Sequence, residues 1–312
     1  MIQFSVVIPL YNKEPYIQRT IQSVLDQSVA DFEIIVVDDG SLDKGLERVK
    51  SFQDPRIRVF SQENKGVSAA RNKGIELARY ENVAFLDGDD IWKPDFLEVV
   101  RNLMEKNPEN SFFATSFEKK ERSGEVLEAV HLGIPKAKEP WEGIIDDFFY
   151  HSLQDMLVSC SAVVVKKKVF DRLGGFMEGI RYGEDQEIWT RIAMEYPLVF
   201  TNYVGMCYDR DADNVVFQAG YRELPFLDKA SDYQEKYQLA GKPRDSFWQY
   251  VYKWSIIKAN FCIRMNLKKE ALALLWRSKK TRHFRFLWLA TFMAALMPLK
   301  LYRFLREKFI LK

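Results

Sequence analysis

Three carboxylates stand close together at Asp87, Asp89 and Asp90, in the stretch VAFLDGDDIW from Val83 to Trp92. The apolar run before them has the character of a buried strand, which would deliver all three to its own C-terminal tip. In an extended chain, residues two apart point the same way, so Asp87 and Asp89 can converge. Gly88 between them lets a ligand come close to the backbone. Like charges at this spacing repel unless a cation sits between them. Oxygen ligands of this kind suit Mg²⁺ or Mn²⁺, which would in turn hold a substrate's phosphates. The plainer alternative is a turn, with Asp-Gly as turn chemistry and one Asp capping a helix near Trp92.

Those residues need a frame. Residues 4–9 (FSVVIP) read as a buried strand, followed by a helix from about Glu14 with Ile17, Thr20, Ile21, Val24 and Leu25 on one face. EIIVV at 33–37 is a second strand, a short helix covers roughly 43–52, and Ile57–Phe60 is a third strand. Asn64-Lys65-Gly66 opens another helix, and Val83–Leu86 is the fourth strand. This alternation implies a mostly parallel sheet with helices on both faces, whose ligands bind outside the strand C-termini. The polar clusters Tyr11-Asn12, Asp38-Asp39, Asn64-Lys65-Gly66 and Asp87 to Asp90 all fall there. Further along, a helix is expected over about 94–106 and a β-hairpin over 111–130 turning at Ser123-Gly124. A strand is expected at Ser159–Val165, a loop at Gly174–Phe176, a helix opening at Gly183-Glu184-Asp185 and a strand pair over 198–208. From about residue 218 the pattern is helical.

Composition narrows the classes. The chain has 312 residues, 47% of them hydrophobic, and a net charge of +2, which demands no nucleic-acid partner. Its three cysteines, Cys160, Cys207 and Cys262, are widely spaced, which argues against a zinc site or a disulfide scaffold and fits a reducing compartment. The N-terminus MIQFSVVIPLYN reads as a first strand and not as a signal peptide. A nicotinamide-binding fold would place a glycine-rich turn after the first strand, where this chain has Pro9-Leu10-Tyr11-Asn12.

Six stretches in order, SVVIPLYN (5–12), IIVVDDGSLDKG (34–45), NKGVSAARNKGI (64–75), VAFLDGDDIW (83–92), LGGFMEG (173–179) and GEDQEIWTRI (183–192), resemble the family-2 glycosyltransferases of GT-A fold, of the bacterial envelope-glycan type. The resemblance implies an α/β, Rossmann-like mixed and mainly parallel sheet flanked by helices, with a C-terminal helical extension. It implies a catalytic domain over 1–215, with a nucleotide half to about residue 92 and an acceptor half over 93–215. A helical extension over 216–275 and a basic amphipathic tail over 276–312 would follow.

The implied activity is inverting and metal-dependent: one sugar moves from a UDP-sugar to a hydroxyl of a glycan or lipid-linked acceptor. By resemblance, Pro9, Tyr11, Asn12, Asp38, Asp39, Lys65, Arg71 and Asp87 contact the nucleotide, with Tyr11 a stacking face for the base. Asp38 or Asp39, the latter favoured, would accept from the uracil N–H, although either could simply cap the helix after Ser41. Asp89, with Asp87, would hold Mn²⁺ or Mg²⁺, while Asp90 caps the helix near Pro94 or supports its neighbours. Asp185 would be the base that deprotonates the acceptor, with Glu184 positioning it or exchanging roles. Trp92, Ser161 and Gly175 would line donor sugar and acceptor. Gln186 is not followed by the Arg-Trp pair that marks processive synthases of this family, which favours single addition. The rivals are transfer to a polyprenyl phosphate, which needs no base, and an inactive nucleotide-sugar-binding scaffold.

The C-terminal stretch adds a partner. Between Lys268 and Lys312 only Glu270 and Glu307 are acidic, and the apolar run Phe286–Leu299 spans fourteen residues. A bilayer span needs about 20. The expectation is an amphipathic helix lying on the inner face of the cytoplasmic membrane, with a packed helix or a homodimer contact as the alternative.

Overall fold

The computed structural model describes residues 2–180, 182–210, 224–236 and 244–302. The chain divides into two compact units, Met1–Asn214 and Val215–Lys312.

The first unit is built on one mixed sheet. Strands β1 (Phe4–Leu10) and β2 (Phe32–Asp38) are buried at every position. Such mainly apolar runs belong to parallel strands covered on both faces, and the buried Ser5 hydroxyl donates to Glu33 on the neighbouring strand at 2.8 Å. β3 (Ile57–Ser61) lies on the edge beside β2, and β4 (Asn82–Phe85) lies on the other side of β1. These four strands are parallel, in the order β3-β2-β1-β4. Their register pairs Leu10 with Asp38 and Val7 with Phe85, so the tips of β1, β2 and β4 end along one edge. The crossovers are α1 (Ile17–Leu25), α2 (Gly45–Lys50) and α3 (Val67–Leu77). α3 packs tightly on β1: a Cβ on Gly74 would lie 2.1 Å from a methyl of Val7.

Beyond β4 come β5 (Ile91–Trp92), α4 (Phe96–Lys106), β6 (Phe112–Lys120), β7 (Val126–Glu128), β8 (Glu142–Ile145) and α5 (Phe148–His151). β9 (Val163–Lys166), α6 (Lys167–Leu173), α7 (Glu184–Glu195) and β10 (Leu198–Asp209) complete the unit. The sheet continues β4-β9-β6-β10-β5, with β9 antiparallel to both neighbours and β10 parallel to β6. The expected hairpin is β6–β7, turning at Gly124, which sits at φ +85°.

Two local expectations need correction. Residues 160–162 form a 3₁₀ turn before β9, not strand. Residues 198–209 form one long strand, not a pair. β10 stays continuous because it pairs with β6 along its length and with β8 and then β5 on its other side. Register irregularities between Thr201 and Met206 absorb its bend. β5, β8 and α6 are short and carry no periodicity long enough to read.

In the second unit the described helices are α8 (Pro225–Asp228), α9 (Ala230–Lys236), α10 (Arg244–Arg264), α11 (Lys268–Arg277) and α12 (Arg285–Leu296). α10 ends in a tight cap: Asn266 takes φ +62° and donates to Ile263, while Leu267 donates to Cys262. One core cluster joins Ile256, Ala259, Ile263, Ala271, Leu275, Ala295 and Tyr302. α11 runs through residues 275 and 276, where the sequence suggested a boundary. No helix among the described residues is long and apolar enough to cross a membrane.

Candidate active site

The strand tips of the first unit set the scene. After β4 the chain turns through Asp87-Gly88-Asp89-Asp90, with the Asp90 N–H donating to the Asp87 carbonyl at 3.1 Å. Gly88 is buried against β1, and a Cβ there would meet the Pro9 carbonyl at 3.2 Å. Asp90 is almost fully buried and accepts from the Ser161 hydroxyl at 2.6 Å. Burial, with Asp89 and Asp87 nearby, pushes its carboxyl well up. It is not a cap for α4, whose N-cap is Asp95.

Ser161 is wholly buried and also accepts from the Asp87 N–H at 3.0 Å, so it pins both ends of the acidic turn. Trp92 supports it from the core. The buried indole stacks on Phe96 and donates to the Ser161 carbonyl at 2.6 Å. Ser161 and Trp92 therefore shape the turn from beneath; neither side chain faces solvent.

Arg71, in the first turns of α3, is the electrostatic centre. Its side chain is buried and donates to Asp87 at 2.7 Å and to Glu184 at 2.9 Å. Burial alone would favour the neutral form, but the Asp87 and Glu184 carboxylates outweigh it and hold the cation firmly charged. The guanidinium lies 5.2 Å from the ring centre of Phe176. One side chain thus joins the DGDD turn to the Glu184-Asp185 pair.

α7 begins at that pair, behind Gly183 in the left-handed conformation at φ +84°. Asp185 accepts from the Gln186 N–H at 2.7 Å. Burial and then the neighbouring Glu184 raise its carboxyl to about 7, although Arg71 pulls the other way. That value is where a general base works at neutral pH.

Three contacts, made by Lys13 and Arg19, were not legible beforehand. Lys13, just past β1, places its ammonium on Asp89, and Arg19 in α1 donates to the Asp89 carbonyl at 3.1 Å and to Asp209 at 2.7 Å. The loop before α7 is clamped from both sides. Asn72 exchanges hydrogen bonds with the Phe176 backbone, at 2.7 and 2.9 Å. Arg191 donates to the carbonyls of Leu173, Gly174 and Gly175 while paired with Glu187. Only glycine suits position 175, since a Cβ would lie 2.2 Å from the Asn72 amide oxygen. The Glu187–Arg191 spacing of one helical turn was a readable signal for this clamp. Nothing marked Lys13.

The expected nucleotide residues divide by exposure. Tyr11 is 44% exposed, as a stacking face requires. Asn12 adopts φ +51°, and its side chain accepts from the Leu42 N–H at 2.8 Å, tying the β1 tip to the β2 loop. Pro9 is buried within β1. Asp38 and Asp39 are both buried and both engaged. Asp38 accepts from the Ser41 N–H at 3.1 Å, a local turn bond. Asp39 accepts from the N–H groups of Lys65 and Gly66, at 2.9 and 2.8 Å, and from the Gln62 amide at 2.8 Å. It thereby anchors the entrance to α3, while the Lys65 side chain is exposed.

Among the described residues no three His, Cys, Asp or Glu side chains are arranged to hold a metal by themselves. The Asp87–Asp89 pair nonetheless fits a hard divalent cation that takes its other ligands from substrate phosphates, since Mg²⁺ is commonly held by one or two carboxylates plus phosphate. Lys13 already brings a positive charge to Asp89.

Residues 5–172 match the family model for Glycosyl transferase family 2, more than half of the chain. The chain belongs to that family. A glycosyltransferase of Rickettsia felis is 36% identical to this family-2 chain over 191 residues, 61% of this chain and 30% of that protein. The chain thus spans under a third of the length of this relative. The putative teichuronic acid biosynthesis glycosyltransferase TuaG of Bacillus subtilis is 34% identical over 190 residues, 59% of this chain and 69% of that protein. Among solved structures, S. aureus TarS 1-349 in complex with UDP-GlcNAc superposes with a TM-score of 0.62 at 17% identity. It covers 95% of this chain and 82% of that one, and establishes the shared GT-A-type fold.

Proposed function

We propose that this family-2 glycosyltransferase moves one sugar from a UDP-sugar to a hydroxyl of a cell-envelope glycan or its lipid-linked intermediate, with inversion. The observation that carries the reading is the Arg71 bridge, which ties the donor-side turn at Asp87 to the Glu184-Asp185 pair. Asp185, with its carboxyl raised to about 7, takes the acceptor proton as the acceptor oxygen bonds to the anomeric carbon. The bond from that carbon to the diphosphate oxygen breaks on the opposite face, and UDP leaves with the electron pair. A single displacement inverts the centre.

Asp89 and Asp87 would hold Mg²⁺ or Mn²⁺. When bound, such an ion neutralises the charge that grows on the departing diphosphate. Arg71 holds the Asp87 carboxylate in place through their ion pair. Asp39 holds the Lys65-Gly66 entrance to α3 in place, and Tyr11 offers the base an exposed ring. The UDP-GlcNAc bound by TarS and the pathway named for TuaG support the donor class and the envelope setting. Peripheral attachment to the inner face of the cytoplasmic membrane would bring the site to a lipid-linked acceptor.

A panel of UDP-sugars assayed by UDP release, with Mn²⁺, Mg²⁺ or EDTA, tests this directly. Turnover should need the metal, and Asp89→Ala should lose at least ~10²-fold. Full activity in EDTA would reject the metal role. UDP binding without turnover of any donor and acceptor would favour a nucleotide-sugar-binding scaffold.

A further inference from the structure

The corner between α11 and α12 gathers four cations, Lys279, Lys280, Arg282 and Arg285, within seven residues. Lys279, Lys280, Thr281, Arg282, Arg285 and Trp288 line an open basin of about 460 Å³. The turn beneath it is built, not loose. Gln249, almost fully buried in α10, accepts from the Arg282 N–H at 2.9 Å and from the Thr281 hydroxyl at 3.3 Å. Trp288 donates to the Leu275 carbonyl at 2.8 Å and stacks on Phe292. The cations are exposed, and the Arg282–Asp245 pair, at 3.8 Å in open solvent, does little to neutralise them. Between 268 and 302 the sequence has one acidic residue, Glu270.

α12 leads away from this basin with apolar residues on both faces. Thr291 and Ala295 are buried, with Trp288 and Phe292 packed against the same core. The opposite stripe, Phe286, Leu289, Met293 and Leu296, is 87, 53, 50 and 57% exposed. Spacings of three, four and three residues put these four on one face. A helix apolar all round needs a second apolar phase beside it. Cations stand at both ends of the stripe, Arg285 at the start and Lys300 beyond the finish. A twelve-residue helix is about 18 Å long, short of the roughly 30 Å hydrocarbon core, so it suits the plane of an interface.

We propose that this corner is a docking surface for an anionic lipid bilayer, with Lys279, Lys280, Arg282 and Arg285 receiving headgroup phosphates and the Phe286–Leu296 stripe entering the headgroup–acyl boundary. The proposal rests on the peripheral-membrane reading above and names the residues that carry it. Charge complementarity selects this occupant, because each Lys or Arg near an anionic leaflet strengthens binding roughly fivefold.

The test is flotation of the full chain with phosphatidylcholine vesicles, with and without phosphatidylglycerol, and UDP calorimetry on the same preparation. The chain should float with the anionic vesicles only and be released by salt. Replacing the four cations by Gln should weaken binding by ~10² or more, and Phe286→Ser with Leu289→Ser should also release it. Circular dichroism should show both variants folded. Absence of flotation, or equal flotation with neutral vesicles, overturns the proposal. So does tight inorganic pyrophosphate binding that needs the four cations while vesicles are ignored, which would mark a soluble-anion site. A dimer that Leu289→Ser converts to monomer would assign the stripe to a second copy. Flotation of the parent that persists in both variants rejects this surface and leaves peripheral attachment standing; absence of flotation rejects both, and lost UDP binding with intact flotation rejects the donor reading alone.

Discussion

Arg71 concentrates the chemistry of the site in one side chain. It is buried between Asp87 and Glu184, and removing it would leave carboxylates facing each other without a counter-ion. Breaking such a buried pair from one side costs about 3–5 kcal/mol. Arg71→Met should therefore lower stability by that order in urea unfolding. An unchanged midpoint would mean the bridge is not formed in solution. Asp185 gives a second expectation. Its folded-state value of about 7 lies above the unfolded value near 3.9, so its ionisation opposes folding. The stability it contributes is full below about pH 4 and is lost as pH rises through 7. Asp185→Asn should consequently melt progressively higher than the parent across that window, while transfer falls by ~10²–10⁴. The parent's kcat/KM should rise with pH through about 7. Glu184→Gln removes a charge that raises Asp185, so any residual activity should show that limb at lower pH. A limb that stays in place would detach the pH profile from Asp185.

At the scale of elements, the site depends on how closely α3 lies on the sheet. Gly74 permits that approach, since a Cβ would overlap Val7 in β1. Gly74→Ala improves helix propensity by about 1 kcal/mol but forces α3 outward, and overpacking costs typically 1–3 kcal/mol. The expected net result is destabilisation with weaker UDP binding, because Arg71 and the Lys65-Gly66 entrance ride on the same helix. Increased stability with unchanged UDP affinity would show that α3 has room to spare. The loop before α7 is held by Asn72 from α3 and Arg191 from α7, so the two helices that carry Arg71 and Asp185 also fix the segment between them.

For the whole molecule, the two units carry separate hydrophobic clusters, one around β1, β2 and β4 and one around α10, α11 and α12. Leu275 is wholly buried in the second. Leu275→Ala should cost about 2–5 kcal/mol of that unit's stability. UDP affinity by calorimetry should remain at the parent level, because every residue assigned to the nucleotide lies in the first unit. A matching fall in UDP affinity would show that donor binding draws on both units.

What the sequence determined by itself is what local chain physics can encode. The mainly apolar runs at 4–9 and 33–37 read as buried strands, and the polar residues that follow them had to sit along one sheet edge. DGDD and GED were visible because each is a short run of charge at the end of a periodic element. Tertiary structure decided which of these charges meet. Lys13 reaches Asp89 across 76 residues and Arg71 reaches Glu184 across 113, by way of sheet register. The same register brings the 62–66 segment over Asp39, so that this carboxylate accepts from Gln62, Lys65 and Gly66. It also buries Trp92 beneath Ser161. Periodicity records how a segment lies on its neighbours, whereas the pairing of distant side chains exists only once the strand tips have been brought together.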